Sequence, residues 1–149
     1  MNFSRKWIWW TLAVPALGAA SFGVWRFTQR AVATAPREFV SVSSKPGDPV
    51  SRVEQLTCEL TQGWPVILVR DDNDRSPWWV QGKAERQDDH KFLARAHFGN
   101  ETTEPGQRYQ IVVLSATDET QARGFETGMM LDDIPQNLPR SEAIGVVRH

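Results

Sequence analysis

The sequence predicts an all-β protein, an antiparallel β-sandwich of about seven short strands, preceded by one N-terminal transmembrane helix. Three observations lead to this prediction. Short apolar runs recur along residues 50–149, and loops rich in Asp, Asn, Ser, Pro and Gly separate them, as is typical of antiparallel strands. The sequence contains no amphipathic stretch long enough for a βαβ crossover helix, which argues against a parallel sheet. Finally, residues 7–25 form an apolar run without a charged residue.

Charge is distributed unevenly along the chain. Residues 1–37 carry five Lys/Arg and no acid, hence +5, whereas the remainder carries 12 Lys/Arg against 18 Asp/Glu, hence −6. A basic arm beside an apolar run, followed by an acidic domain, suggests a membrane-tethered protein. The acidic part would repel phosphate backbones, so we expect no nucleic-acid partner. A chain of 149 residues leaves room for one ordinary domain.

Residues 7–25 are predicted to be a transmembrane helix acting as a signal anchor, with the bilayer as its partner, after a basic tail at residues 1–6. A helix of this length spans most of a hydrocarbon core, and aromatic residues stand at both of its ends, where membrane interfaces favour them. A cleaved signal peptide is the alternative, with small residues at 18–20 or 33–35 as its cleavage site. Flanking positive charges are nearly balanced, so the extracytoplasmic placement of the C-terminal domain rests on analogy with other signal-anchored β domains.

Residues 26–49 are predicted to be a stalk and linker that could include a first strand near residues 39–42, and residues 50–149 to be the sandwich. Apolar and polar residues alternate at 52–61 and at 92–98, as in half-buried strands, whereas 65–70 is continuously apolar, as in a central strand buried on both faces. The predicted strands after the first lie at residues 52–61, 65–70, 78–81, 92–98, 109–114 and 144–148.

The segment between the last two predicted strands should be largely irregular. Thr117 or Asp118 is expected to cap one helical turn that runs to Arg123. Residues 124–140 read as a loop because they contain two glycines and two prolines. Within that loop, the apolar cluster Met129–Leu131 is expected to plug one end of the sandwich.

Several motifs together resemble a known class of domain. They are PVILVR, WWVQ, FLARAHFGN, a Gly-x-x-Tyr-x-Ile-x-Val strand and the closing segment LPRSEAIGVVRH. This succession resembles small Ig-like domains of bacterial single-pass membrane-anchored proteins, most of them without an assigned function, and covers about residues 50–148. The resemblance implies a compact β-sandwich outside the cytoplasm. It implies no catalytic residues, because such domains share no catalytic motif.

Metal and cofactor chemistry has little support in the sequence. Cys58 is the only cysteine, which excludes an intramolecular disulfide and a Cys-rich zinc site, and we expect it to be buried on a strand. The acidic run at 71–74 fails the EF-hand pattern. A looser calcium site, built from Asp71 and Asp74 with Asp88 or Asp89, stays open as a weaker alternative. We therefore predict no metal and no cofactor.

Catalytic constellations are equally weak. His90, His97 and His149 lie in a turn, on a strand and at the terminus, and they form no metal-binding or catalytic set. The G-x-S-x-G elbow of serine hydrolases is absent from the sequence. We predict that the protein is not an enzyme, and an enzyme of unknown type remains the weakest alternative.

Trp64, Trp78 and Trp79 are the predicted ligand or interaction residues, because aromatic side chains anchor protein interfaces and stack on sugar rings. Adjacent strand residues point to opposite faces, so one of Trp78 and Trp79 should point inward and the other outward. The predicted function is a non-catalytic, membrane-anchored envelope protein with an interaction or structural sandwich, whose partner is an envelope protein or glycan. The alternative is a carbohydrate-binding module, which an exposed tryptophan platform would favour.

Overall fold

A computed structural model of the chain describes residues 40–149. The basic tail at 1–6, the membrane helix at 7–25 and the stalk up to residue 39 therefore lie outside the described residues. In the described part of the chain, no helix combines the length and the hydropathy that a membrane span requires.

The described chain folds into ten β-strands and one short helix. The seven predicted strands are all present, and three further strands, β2, β6 and β9, have two residues each. Two residues are too few to show a hydrophobic period, which explains why the sequence did not reveal them. The elements are β1 Val40–Val42, β2 Pro49–Val50, β3 Val53–Leu60, β4 Trp64–Asp71, β5 Trp78–Val80, β6 Glu85–Arg86, β7 Lys91–His97, β8 Arg108–Ala116, α1 Glu119–Arg123, β9 Met130–Leu131 and β10 Ile144–Arg148.

The strands form two sheets that pack as a β-sandwich. One sheet has four strands in the order β1-β3-β7-β6, and the other has six in the order β2-β10-β8-β4-β5-β9. Described strand pairs are antiparallel, as predicted, with one exception: β2 runs parallel to β10, with Pro49 beside Val147 and Val50 beside Arg148. This parallel pair corrects the purely antiparallel prediction. It joins segments almost a hundred residues apart, which local sequence patterns do not report.

The main core lies between the two sheets. Every second side chain of β3 and β7 points into it, because successive strand residues alternate between faces. This confirms the half-buried strands predicted from the alternating pattern. The four-stranded sheet contributes Leu56, Cys58, Leu60, Phe92, Ala94 and Ala96, and the six-stranded sheet contributes Ile67, Val69, Ile111, Val113 and Val146.

A second core covers the outer face of the six-stranded sheet. Val66 and Leu68 of β4, together with neighbours on β5 and β8, pack beneath α1 and the segment that follows it. Since Val66 to Val69 are buried on both sides of the sheet, the prediction of a central strand buried on both faces is confirmed. The predicted helical turn is also present, and the Asp118 carboxylate caps it by accepting a hydrogen bond from the Gln121 N–H at 2.8 Å. The covering side chains are Ala122, Phe125, Leu131, Ile134 and Leu138.

The chain crosses from one sheet to the other directly after β5. The Gln81 N–H donates to the Ile67 carbonyl at 2.9 Å in the six-stranded sheet, and the next N–H, from Gly82, donates to the Arg95 carbonyl at 3.2 Å in the four-stranded sheet. The buried Gln81 side chain spans the same gap. Its Nε2 donates to the Trp79 carbonyl at 3.0 Å, and its Oε1 accepts from the His97 N–H at 2.8 Å. This crossover fixes the distance between β5 and the end of β7.

Cys58 provides a test of the main core. It is fully buried, and burial raises the pKa of its thiol from 9.0 to about 12. The folded state therefore holds the thiol protonated at pH values where the unfolded chain is already losing its proton. The free energy of unfolding therefore depends on pH through Cys58. We predict that the contribution of the buried, protonated thiol is fully present below about pH 9 and is lost as the pH rises toward 12. Urea unfolding of the full-length protein at a series of pH values measures it, and Cys58→Ala should remove this part of the pH dependence.

Thiol labelling gives an independent check on the same residue. Below pH 9, a disulfide reagent should modify Cys58 only as fast as the protein opens, because the thiol is buried and is not ionised. Complete modification of the folded protein within the mixing time would contradict the position of Cys58 between the sheets.

Candidate functional site

The three predicted tryptophans occupy three different environments, and the first is closed off by an arginine. Trp64 begins β4 and packs against both cores. Its ring meets the Phe92 ring edge-on with the centroids 5.1 Å apart, and the Arg86 guanidinium lies 4.9 Å from the indole centroid. Trp64 is thus partly buried at one end of the sandwich, and the Arg86 guanidinium lies over its ring.

Trp78 belongs to the second core. It is 5 % exposed, and the Arg70 guanidinium lies 4.5 Å above its ring. Arg70 is held there because it donates to Gln110 Oε1 at 2.9 and 3.0 Å and forms an ion pair with Asp74 Oδ1 at 3.1 Å. Because the ring is buried below a fixed guanidinium, Trp78 is a structural residue.

Trp79 points away from Trp78, as expected for adjacent strand residues, and it is 44 % exposed. Its register partner across β5 and β9 is Met130, which is 58 % exposed, and Met129 precedes it. The expected plug at Met129–Leu131 is therefore wrong for both methionines: only Leu131 packs into a core. The reason is the short strand β9, which pairs Met130 with the outward-facing residue of β5.

Trp79 also forms one wall of a groove with a volume of about 540 Å³. The groove opens at the side of the sandwich, where the crossover separates β5 from the end of β7. Its lining comes from the end of β4, the end of β7, the following loop and the turn before β9. We call it the side groove and define it by Trp79, Asp71, His97, Asn100, Thr103 and Thr127.

The loop after β7 gives the side groove a preformed wall. Gly99 has φ +75°, and a Cβ there would collide with the hydroxyls of Thr103 and Tyr109, so the close approach requires glycine. Asn100 organises the turn: its Oδ1 accepts from the Thr102 N–H at 2.9 Å, and its N–H donates to Thr103 Oγ1 at 2.9 Å. These bonds fix the loop without a ligand.

The polar groups of the side groove are hydrogen-bonding groups with little net charge. Burial raises the pKa of Tyr109, and the nearby Asp71 carboxylate raises it further, so the Tyr109 hydroxyl stays protonated at neutral pH. Asp71, His97, Asn100 and Thr127 are exposed along the groove. The site can therefore offer a carboxylate, an imidazole, an amide and hydroxyls beside one indole.

The loop carboxylates considered for calcium serve other contacts. Asp74 pairs with Arg70, and Asp88 Oδ1 accepts from the N–H groups of His90 and Lys91 at 3.0 and 2.7 Å. Among residues 40–149, no group of three or more His, Cys, Asp or Glu side chains could hold a metal ion. The structure does not bring Asp71 and Asp74 together with Asp88 or Asp89 as a metal site.

The polar half of the side groove has no local signature in the sequence. Its side chains come from positions 71, 97, 100 and 127, and only the paired sheets bring them to one place. Asp71 and His97 were considered only for a metal or catalytic role. The one feature of the sequence that indicated this site is Trp79, an aromatic residue next to another aromatic residue on a predicted strand.

No protein-family model, curated protein or solved structure matches this chain. The likeness to small Ig-like domains thus stays a prediction from the sequence motifs.

Substitution of Trp78 and Trp79 separates the structural residue from the exposed one. We predict that Trp78→Ala lowers the free energy of unfolding by about 3–5 kcal/mol, as for other large-to-small changes in a core. Trp79→Ala should lower it by about 1 kcal/mol or less, because the removed ring is partly in water already. Urea unfolding of the full-length protein, followed by far-UV circular dichroism, measures both. A larger loss for Trp79→Ala than for Trp78→Ala would contradict these positions.

Proposed function

We propose that this chain is a non-catalytic, single-pass membrane-anchored envelope protein whose Ig-like sandwich binds a partner through the side groove. The observation that carries the proposal is the exposure of Trp79 beside Met130.

Recognition is supported by where the exposed apolar side chains lie. Among residues 40–149, the large hydrophobic side chains classed as exposed are Trp79, Met129 and Met130, and all three lie along β5, β9 and the turn before β9. Grouped apolar side chains with a polar rim mark binding surfaces, and tryptophan is frequent among residues that dominate binding energy. Methionine adapts its shape to a partner because its side chain is unbranched and flexible.

A non-catalytic role is supported by the engagement of the reactive groups. Burial raises the pKa of Cys58 to about 12, so this thiol does not act as a nucleophile at neutral pH. The Asp72 carboxylate accepts from Gln110 Nε2 at 2.7 Å, and Asp74 and Asp88 hold neighbouring groups of the fold. These carboxylates stabilise loops.

The membrane anchor is supported by the sequence, and the extracytoplasmic placement by analogy with other signal-anchored β domains. Residues 7–25 are uncharged, with Arg5 and Lys6 before them and Arg26 directly after them, and the chain reaches β1 after residues 26–39. The Ig-like character is supported by the motif succession and by a sandwich whose seven longer strands follow the predicted order.

Membrane topology tests the anchored part of the proposal. A reporter that is active only outside the cytoplasm, fused after His149, should be active and should fractionate with membranes. A matched chain lacking residues 1–37 should lose both properties, because its apolar run is gone. An inactive reporter in the membrane fraction would place the sandwich in the cytoplasm, and activity in the soluble exported fraction would mean that the N-terminal segment is cleaved; either result would contradict the proposal.

Photocrosslinking in cells tests the binding part. A benzophenone side chain at position 79 should give an adduct of increased mass, because the partner covers this position. The same group at Glu59, which is exposed on the outer face of β3, is the control and should give none. Equal adduct patterns at both positions, or none at either, would contradict a recognition role for the side groove.

A further inference from the structure

We infer that the side groove binds a neutral sugar residue of a glycan, with the ring stacked on Trp79. This inference rests on the proposed function and names the chemical class of the ligand. It is carried by the combination of an open indole face with polar groups that have little net charge.

The indole of Trp79 is the accessible one of the three tryptophans in the described residues. Trp64 and Trp78 each carry an arginine over the ring, whereas Trp79 faces the side groove at 44 % exposure. The face of an aromatic ring carries partial negative charge. The C–H bonds on one face of a pyranose are polarised by their oxygens, so they are attracted to such a surface. A single accessible indole fits one sugar ring.

The polar lining matches the hydroxyl groups of a sugar. Asp71 offers two acceptor oxygens, and Thr127 offers a hydroxyl that can donate or accept. Asn100 Oδ1 is held by the N–H and hydroxyl of Thr102, which fixes the side-chain amide at the groove. Acceptors and donors in the same groove as an aromatic ring can satisfy the hydroxyls of a sugar, which a purely apolar pocket would leave without hydrogen bonds.

The charge of the domain favours a neutral ligand. Residues 40–149 carry 12 Lys/Arg against 17 Asp/Glu, a net charge of −5, and Asp71 adds a carboxylate to the groove itself. The Arg70 guanidinium also borders the groove, but it is held by Gln110 and Asp74 and lies over Trp78 on the other face of β5. A glycan rich in phosphate or uronic acid would meet repulsion from this surface.

The volume of the side groove and its preformed wall suit a small, weakly bound ligand. Its volume of about 540 Å³ lies within the range of about 300–1,000 Å³ that small-molecule sites occupy. The wall from Gly99 to Thr103 is held by its own hydrogen bonds, so little ordering is needed on binding. One sugar ring makes few contacts, and several copies anchored in one membrane would bind a repeating glycan more tightly than one copy does.

Titration with defined sugars tests the inference. The probes are neutral trisaccharides of glucose, mannose, galactose and N-acetylglucosamine, added to the full-length protein in detergent micelles. The indole N–H resonance of Trp79, assigned by its loss in Trp79→Phe, reports binding. At least one trisaccharide should shift it in a saturable manner with a dissociation constant of about 1 mM or below, which corresponds to about −4 kcal/mol.

Three variants separate binding from folding. Trp79→Ala should weaken the affinity about tenfold or more, and Trp79→Phe should restore most of it, because a ring face is restored. Asp71→Asn keeps the shape of the side chain and should weaken the affinity about threefold or more by removing the charged acceptor. Glu59→Ala, on the outer face of β3, is the matched control and should bind as the unchanged protein does. For the variants without Trp79, isothermal calorimetry replaces the resonance.

The possible failures are distinguishable. No saturable shift with any of the four sugars overturns the sugar inference. If position 79 then still gives a protease-sensitive adduct in cells, the partner is a protein, and the proposed recognition role stands without the sugar. If position 79 gives no adduct either, both proposals fail. Equal affinity of Trp79→Ala and the unchanged protein would also overturn the inference, because binding would not depend on the indole.

Discussion

The structure depends on the burial of β4 and β8 on both faces. A sheet with two apolar faces must be covered twice. The four-stranded sheet covers one face of β4 and β8, and the segment from α1 to Leu138 covers the other. This second cover buries Trp78 on the outer face of β5. Trp79 lies on the inner face, opposite Val69 of the main core, where the four-stranded sheet leaves it 44 % exposed along the side groove.

Two of the three tryptophans in the described residues have an arginine over the ring, and the third, Trp79, is exposed. Arg86 and Arg70 lie over the rings of Trp64 and Trp78. A cation over an aromatic face contributes about 0.5–1 kcal/mol at an exposed site and about 2 kcal/mol where the pair is removed from water, so the largely buried Arg70–Trp78 pair contributes more. Trp79 lies on the opposite side of β5, where Met130 is its neighbour. Three chemically identical side chains thereby acquire two roles.

Local patterns in the sequence predicted the strands well and the site only in part. The alternation in β3 and β7 identifies their buried faces, and the unbroken apolar run in β4 identifies the strand with two buried faces. Alternation also requires Trp78 and Trp79 to point apart, but it does not say which one is buried. That depends on register: Trp79 lies opposite Val69 and Met130, and no local pattern contains these pairings. The polar groups of the side groove were not predicted because the fold gathers them from four separate segments.

The crossover at Gln81 and Gly82 limits where the chain can be opened for circular permutation or for an insertion. It is a direct covalent link between the sheets, and the Gln81 side chain bonds across the same gap. Opening the backbone there would disturb the hydrogen bonds by which Gln81 and Gly82 join the two sheets. The exposed loop at residues 72–75 joins two strands of one sheet and tolerates an opening or an inserted segment better. New termini for a circular permutant, or an inserted label near Trp79, therefore belong in residues 72–75.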